Sequence, residues 1–144
     1  MSGYLIDTNV ISMFAPGRPS VPDVLKNWMI ANGESGLFIS SITIAEIRGG
    51  IRKLARKGSA SKAAVLEQWL QGLIVEFGDR ILAVDTGDAL SAGDLSDEAA
   101  GRGISPGFAD ILIAASARAR ELTVVTLNIR HFEHLGVAVQ LPPG

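Results

Sequence analysis

The chain is punctuated by apolar runs that stop almost as soon as they start, each followed by a stretch long enough for a helix. The runs are Tyr4-Leu5-Ile6, Leu37-Phe38-Ile39, Ile81 to Val84 and Thr123-Val124-Val125-Thr126, with Val137 to Leu141 as a last edge strand. Between them, apolar residues recur at helical spacing. The helical segments are Val10 to Phe14, capped by Thr8 or Asn9, then Val24 to Met29, fading at Asn32-Gly33. Ile42 to Leu54 and Ala63 to Phe77 follow, then a segment capped by Asp85-Thr86, and finally Phe108 to Arg120. Strands apolar on both faces must be covered on both, and strands joined through helices run parallel. The expected fold class is therefore α/β, three layers deep, with a central, mainly parallel sheet of about five strands. With 144 residues, 47% of them hydrophobic, the chain can bury one well-filled core, and a single domain over residues 1–144 is expected.

Several functional classes fall away at once. The absence of cysteine removes disulfide scaffolds, zinc ribbons, thiol nucleophiles and iron–sulfur clusters. The longest uncharged run, Ser35 to Ala45, is too short for the ~18 residues that span a bilayer. Asp7 interrupts the N-terminus before a signal peptide's apolar stretch develops, so a cytoplasmic protein without membrane contact is expected. Phosphate-cradling glycine loops, nucleophile elbows and the HExxH zinc pattern are all missing. His131 and His134, the only histidines, read as surface or structural residues.

In parallel α/β sheets ligands gather beyond the carboxyl ends of the strands, where the strand order reverses. Asp7 and Asn128 follow strands directly, Glu46 lies a few residues into the next helix, and Asp110 lies in a first helical turn. Asp79, Asp85, Asp88, Asp94, Asp97 and Glu98 have polar, glycine-containing surroundings and are expected to be solvated. Apolar residues flank Asp7, Glu46 and Asp110, so ionising them there needs compensation. Two readings stand side by side. In one, each is paired locally: Asp7 as a helix cap, Glu46 with Arg48 or Arg52, Asp110 with the helix dipole. In the other, the three converge on a hard divalent cation, Mg²⁺ or Mn²⁺, which suits phosphodiester hydrolysis.

At these residues the chain resembles the PIN-domain ribonucleases, and among them the VapC-type toxins of toxin–antitoxin pairs. Four segments carry the likeness in order and spacing: Leu5-Ile6-Asp7-Thr8-Asn9-Val10, Ser41 to Gly50 around Glu46, Phe108-Ala109-Asp110-Ile111-Leu112-Ile113-Ala114-Ala115, and Val124 to Phe132. The resemblance implies a PIN-like α/β/α fold and Mg²⁺- or Mn²⁺-dependent endoribonuclease activity. It also implies a cognate VapB-like antitoxin and a homodimer. By the same resemblance, Asp7, Glu46, Asp110 and Asn128 are the catalytic residues and the first three the metal ligands, with Thr8, Asn9 and Thr126 in support. The family's fourth acid often stands at the position of Asn128 or His131, and here neither is a carboxylate.

The formal charge of −2 is unevenly spread. From Arg48 to Lys62 there are six bases and no acid, whereas Glu76 to Glu98 holds seven acids and one base. Arg48, Arg52, Lys53 and Arg56 are either a solvated helix face or a guide for the RNA backbone. Trp28 and Trp69, at helical spacing with apolar residues, read as core or dimer interface. Two other functions remain open: an aspartate-nucleophile phosphatase, which would want an acid where Asn9 stands, and a non-catalytic degenerate PIN module.

Overall fold

The computed structural model describes residues 3–144. In chain order the elements are β1 (Gly3–Ile6), α1 (Thr8–Ile11), α2 (Asp23–Gly36), β2 (Leu37–Ser40), α3 (Ser41–Arg56) and α4 (Ala60–Phe77). Then come β3 (Ile81–Leu82), α5 (Thr86–Gly101), α6 (Phe108–Ala119), β4 (Leu122–Val125), α7 (Ile129–Phe132) and β5 (Val139–Gln140). The strands form one sheet in the order β3-β2-β1-β4-β5, and every neighbouring pair is parallel. The chain leaves β1 toward β2 and β3 on one side and later fills β4 and β5 on the other. The strand order therefore reverses between β1 and β4, which opens a crevice beyond their carboxyl ends.

The two faces of the sheet are read from alternate residues, as the pleat requires. Leu5 and Val124 point into a cluster with Leu95 of α5, Ile111 and Ile113 of α6, and Phe132 of α7. Their neighbours Ile6 and Val125 point the other way, onto Val10 of α1, Ile47 and Ile51 of α3, and Leu70 and Leu73 of α4. Two cores with one sheet between them make the three layers.

Some local expectations are corrected. Asp7 caps α1, as the local reading of that residue expects, in place of Thr8 or Asn9: its side chain accepts from the Thr8 amide and its carbonyl from the Val10 and Ile11 amides. Helix α2 runs through Asn32-Gly33 to Gly36, because the Arg80 guanidinium takes up the Gly33 and Leu37 carbonyls at its end. Strand β3 has only two residues, and the one-turn helix α7 has no periodic signal in the sequence.

Asp88 is the largest correction. Instead of being solvated it is 2% exposed. It forms a capping box with Asp85 at the start of α5, which turns its carboxylate inward against α6. There Arg120 Nη1 donates to its Oδ1 over 3.0 Å and Ser116 Oγ to its Oδ2 over 3.0 Å. Burial opposes its charge, but the Arg120, Ser116 and Asp85-amide hydrogen bonds win and hold the carboxyl below its ordinary value.

Candidate active site

The crevice between β1 and β4 is floored by a hydroxyl. Thr126, fully buried just past β4, donates from Oγ1 to Asp7 Oδ2 over 2.8 Å. The same oxygen accepts from Asn9 Nδ2 at 3.3 Å and from the Asn128 amide at 3.0 Å. Asn9 also accepts from the Leu127 amide at 3.2 Å, so it stitches the segment after β1 to the segment after β4. The Asp7 amide donates to the Val125 carbonyl and carries the strand register one residue beyond β1. These contacts leave Asp7 6% exposed, with Oδ1 accepting from the Thr8 amide over 2.8 Å.

Glu46 arrives from α3. Thr8 Oγ1 donates to Glu46 Oε1 over 2.6 Å and lies 2.9 Å from the buried Thr43 Oγ1, which supplies the other proton. Thr43 and Glu46 are three apart in α3 and so share a face. Because Ser40 caps α3 directly after β2, that face is fixed against the end of the neighbouring strand. The pairing of Glu46 with Arg48 or Arg52 does not occur: Arg48 Nη2 instead meets Glu67 on α4 at 3.0 Å. Glu46 is exposed, and its Oε2 has no protein partner among the described residues.

Asp110 comes from the first turn of α6 and is half-buried. Its side-chain partner is His131 of α7, whose Nδ1 lies 3.1 Å from Asp110 Oδ2. Asn128, by contrast, contributes its backbone amide and leaves its side chain exposed. His131 is exposed, in keeping with the surface role its sequence context suggests. It stands on the rim, next to an acid twenty-one positions away in sequence, a contact no local pattern announces. Thr43 could have been found from its place one helical turn before Glu46.

Electrostatics tie the three acids together. Burial pushes the Asp7 carboxyl above its ordinary value against the pull of Thr126 and the Thr8 amide, and the charges of Asp110 and Glu46 push it further the same way. Among the described residues no three metal-ligating side chains close into a ready cage. A cation here would therefore keep several waters while meeting carboxylate oxygens, which is the habit of Mg²⁺ rather than of zinc. Arg52, Lys53 and Arg56 lie exposed along α3 without an acidic partner among the described residues. Trp28 and Trp69 are both half-buried against the α3/α4 core, Trp28 meeting the Tyr4 ring edge-on at 4.8 Å.

This geometry has relatives. "Toxin FitB" of Neisseria gonorrhoeae is 34% identical over 139 residues, 96% of each chain. "VapC ribonuclease Y4jK" of Sinorhizobium fredii is 31% identical over 139 residues, again 96% of each. Among solved structures, the crystal structure of FitAcB from Neisseria gonorrhoeae superposes with a TM-score of 0.83 at 34% identity, covering 96% of this chain and 97% of that one. The family model described as "PIN domain" matches residues 4–137, a span that takes in Asp7, Glu46, Asp110, Asn128 and His131. By sequence, by sheet order and by likeness to these relatives, the chain belongs to the PIN domain family.

Proposed function

We propose that this chain is the toxin of a toxin–antitoxin pair and a metal-dependent endoribonuclease, hydrolysing RNA phosphodiester bonds in the crevice beyond β1 and β4. The observation that carries this reading is the crevice geometry: Asp7, buried and held by Thr126 and the Thr8 amide, shares Thr8 with Glu46, and the charges of Glu46 and Asp110 both bear on it. Such a set of oxygen donors fits a hard divalent cation, Mg²⁺ or Mn²⁺, held by Asp7, Glu46 and Asp110. When bound, that ion supplies charge neutralisation on the phosphate and a more acidic water.

The chain's own residues do the rest. Thr126 and the Thr8 amide fix both oxygens of Asp7. Thr8 orients Glu46, whose Oε2, without a protein partner among the described residues, can take a proton from an attacking water. Asn128 can offer a carbonyl oxygen or hold a water. Arg52, Lys53 and Arg56, with Arg48 beside them, guide the RNA backbone.

The names of the relatives, a toxin and a ribonuclease, support the same reading. It includes a VapB-like antitoxin and a homodimer. Apolar side chains left exposed, such as Ile30 at 78% and Val75 at 82%, supply surface for such assembly. No helix among the described residues is long and apolar enough to cross a membrane, and action on cytoplasmic RNA is part of the proposal.

The test is cleavage of labelled RNA by the purified chain with Mg²⁺, with Mn²⁺ and with excess chelator. Cleavage should require the metal, and Asp7→Asn, Glu46→Gln and Asp110→Asn should each abolish it while the fold is retained. Cleavage indifferent to chelator, or full activity in Asp110→Asn, would overturn the assignment.

A further inference from the structure

We propose that Thr43 is a positioning residue: its hydroxyl, acting through Thr8, holds Glu46 in place beside Asp7 and leaves Glu46 a single free carboxylate oxygen. The inference rests on the ribonuclease reading and adds to that reaction a residue buried too deeply to touch the RNA.

The direction of the hydrogen-bond chain follows from counting protons. A threonine hydroxyl has one proton to give and two lone pairs that accept. The Thr8 proton goes to Glu46 Oε1, because an ionised carboxylate can only accept, and their 2.6 Å separation is that of a charge-assisted bond. The 2.9 Å contact between the Thr8 and Thr43 hydroxyls can then be made only by the Thr43 proton. Thr43 is fully buried, so solvent cannot replace that bond. Each bond in such a chain polarises the next, and the Thr43 proton makes Thr8 the stronger donor to Glu46.

Thr43 and Glu46 lie one turn apart on α3 and hold the Thr8 hydroxyl between them. The Thr8 side chain therefore cannot leave its rotamer without breaking two hydrogen bonds. Its backbone amide meanwhile donates to Asp7 Oδ1 over 2.8 Å. One residue thus bonds both carboxylates, and Thr43 is what fixes that residue against α3. Without the Thr43 proton, the only side-chain partner left to the Thr8 hydroxyl is Glu46, which is exposed and can swing with it. The two oxygens of Glu46 then become interchangeable.

The experiment separates the hydroxyl from the shape around it. Thr43→Val keeps the volume and loses the hydroxyl, whereas Thr43→Ser keeps the hydroxyl and loses a buried methyl. Under Mn²⁺, Thr43→Val should lower kcat for RNA cleavage about tenfold with less change in KM, the lower end of what partners of metal ligands contribute. Thr43→Ser should keep kcat within about twofold of the parent yet melt lower, so that activity follows the hydroxyl and stability the methyl. Thr8→Val should lose at least as much as Thr43→Val. The double variant should lose no more than Thr8→Val alone, because residues that act as a unit are not additive. Two readouts need no cleavage. In the metal-free protein, NMR coupling constants should show one Thr8 rotamer in the parent and averaging in Thr43→Val. Calorimetric titration should show Mn²⁺ binding about tenfold weaker in Thr43→Val and near the parent's in Thr43→Ser.

Parental kcat in Thr43→Val, equal losses in the valine and serine variants, or losses additive with Thr8→Val would overturn the inference. A single Thr8 rotamer persisting in Thr43→Val would do so as well. If Thr43→Val does not fold, Thr43→Ala removes the same hydroxyl without adding bulk and answers the same questions. If the parent cuts no RNA with metal present, the ribonuclease reading fails, and the Thr8 rotamer and the Mn²⁺ affinity still decide whether Thr43 holds Glu46 in place.

Discussion

Asp7 and Asp110 face opposite problems: the first is buried beyond what its hydrogen bonds offset, and the second is held in place by one neighbour. Asp7 is over-buried for a charge, and its folded carboxyl titrates above the ordinary value. Folding therefore favours its protonated form. The penalty is absent below the unfolded-state value, grows as pH rises between the two values, and is complete above the folded one. Asp7→Asn should remove it: the metal-free variant should melt higher than the parent at neutral pH and show a flatter loss of stability as pH climbs from the carboxylate range. Calorimetric melting across that range checks this, and a lower melting point at pH 7 would contradict it. Asp110 is only half-buried, and its orientation depends on His131 Nδ1 at 3.1 Å. Partners of this kind around metal ligands are worth about 10–100-fold. His131→Phe keeps a ring and loses the donor, so cleavage should fall about tenfold with little change in KM for RNA. His131→Asn places an amide N–H where Nδ1 stood and should recover most of it. Equal losses in both variants would mean that the imidazole serves otherwise.

At the scale of elements, α6 carries Asp110 at one end and the Asp88 clamp at the other. The clamp joins α5 to α6 through Arg120 and Ser116, and its sign is the reverse of that at Asp7. The Asp88 carboxyl is held below its ordinary value, so its stabilisation is present above the unfolded-state value and lost as pH falls through the folded one. Asp88→Ala leaves Arg120 without its buried partner and should cost about 3 kcal/mol at neutral pH, less at acid pH, in urea unfolding. At the same end of the helix, Glu121 sits at φ +55°, where glycine is usual after a helix. Glu121→Gly should stabilise the protein by about 0.5–1 kcal/mol in the same assay. These two positions also mark where sequence patterns stop being informative. The paired strands β1, β2 and β4 and the helices α3 and α6 were legible because apolar period alone specifies them. Asp88 was not, since its burial depends on Arg120 thirty-two positions away while its own neighbours look polar. Nor was α7, a single turn with no repeat to detect, although it is what brings His131 to Asp110. The acids of the site were legible because apolar flanks made their charge conspicuous; Thr8 and Thr126 were named for the site only through the family resemblance, and Thr43, one turn before Glu46, was not named at all.

For the whole molecule the sheet is an electrostatic divider. Helix α3, with Arg52, Lys53 and Arg56 exposed, packs on one face; α5, inside the acidic stretch from Glu76 to Glu98, packs on the other. A chain of net charge −2 can therefore still present a cationic stripe along α3 to a polyanion, with the acids of α5 on the far side. Contacts to phosphates release counterions, so binding weakens with salt by about 0.7 in log–log slope per contact on single-stranded nucleic acid. With the inactive Asp7→Asn protein and a single-stranded RNA, changing Arg52, Lys53 and Arg56 together to glutamine should lower that slope by about 2. Arg48→Gln should lower it by much less, because Glu67 already neutralises Arg48 at 3.0 Å. Fluorescence anisotropy at a series of salt concentrations measures both. Parallel salt lines for the parent and the triple variant would mean that the α3 bases are only a solvated face and that RNA reaches the crevice by another route.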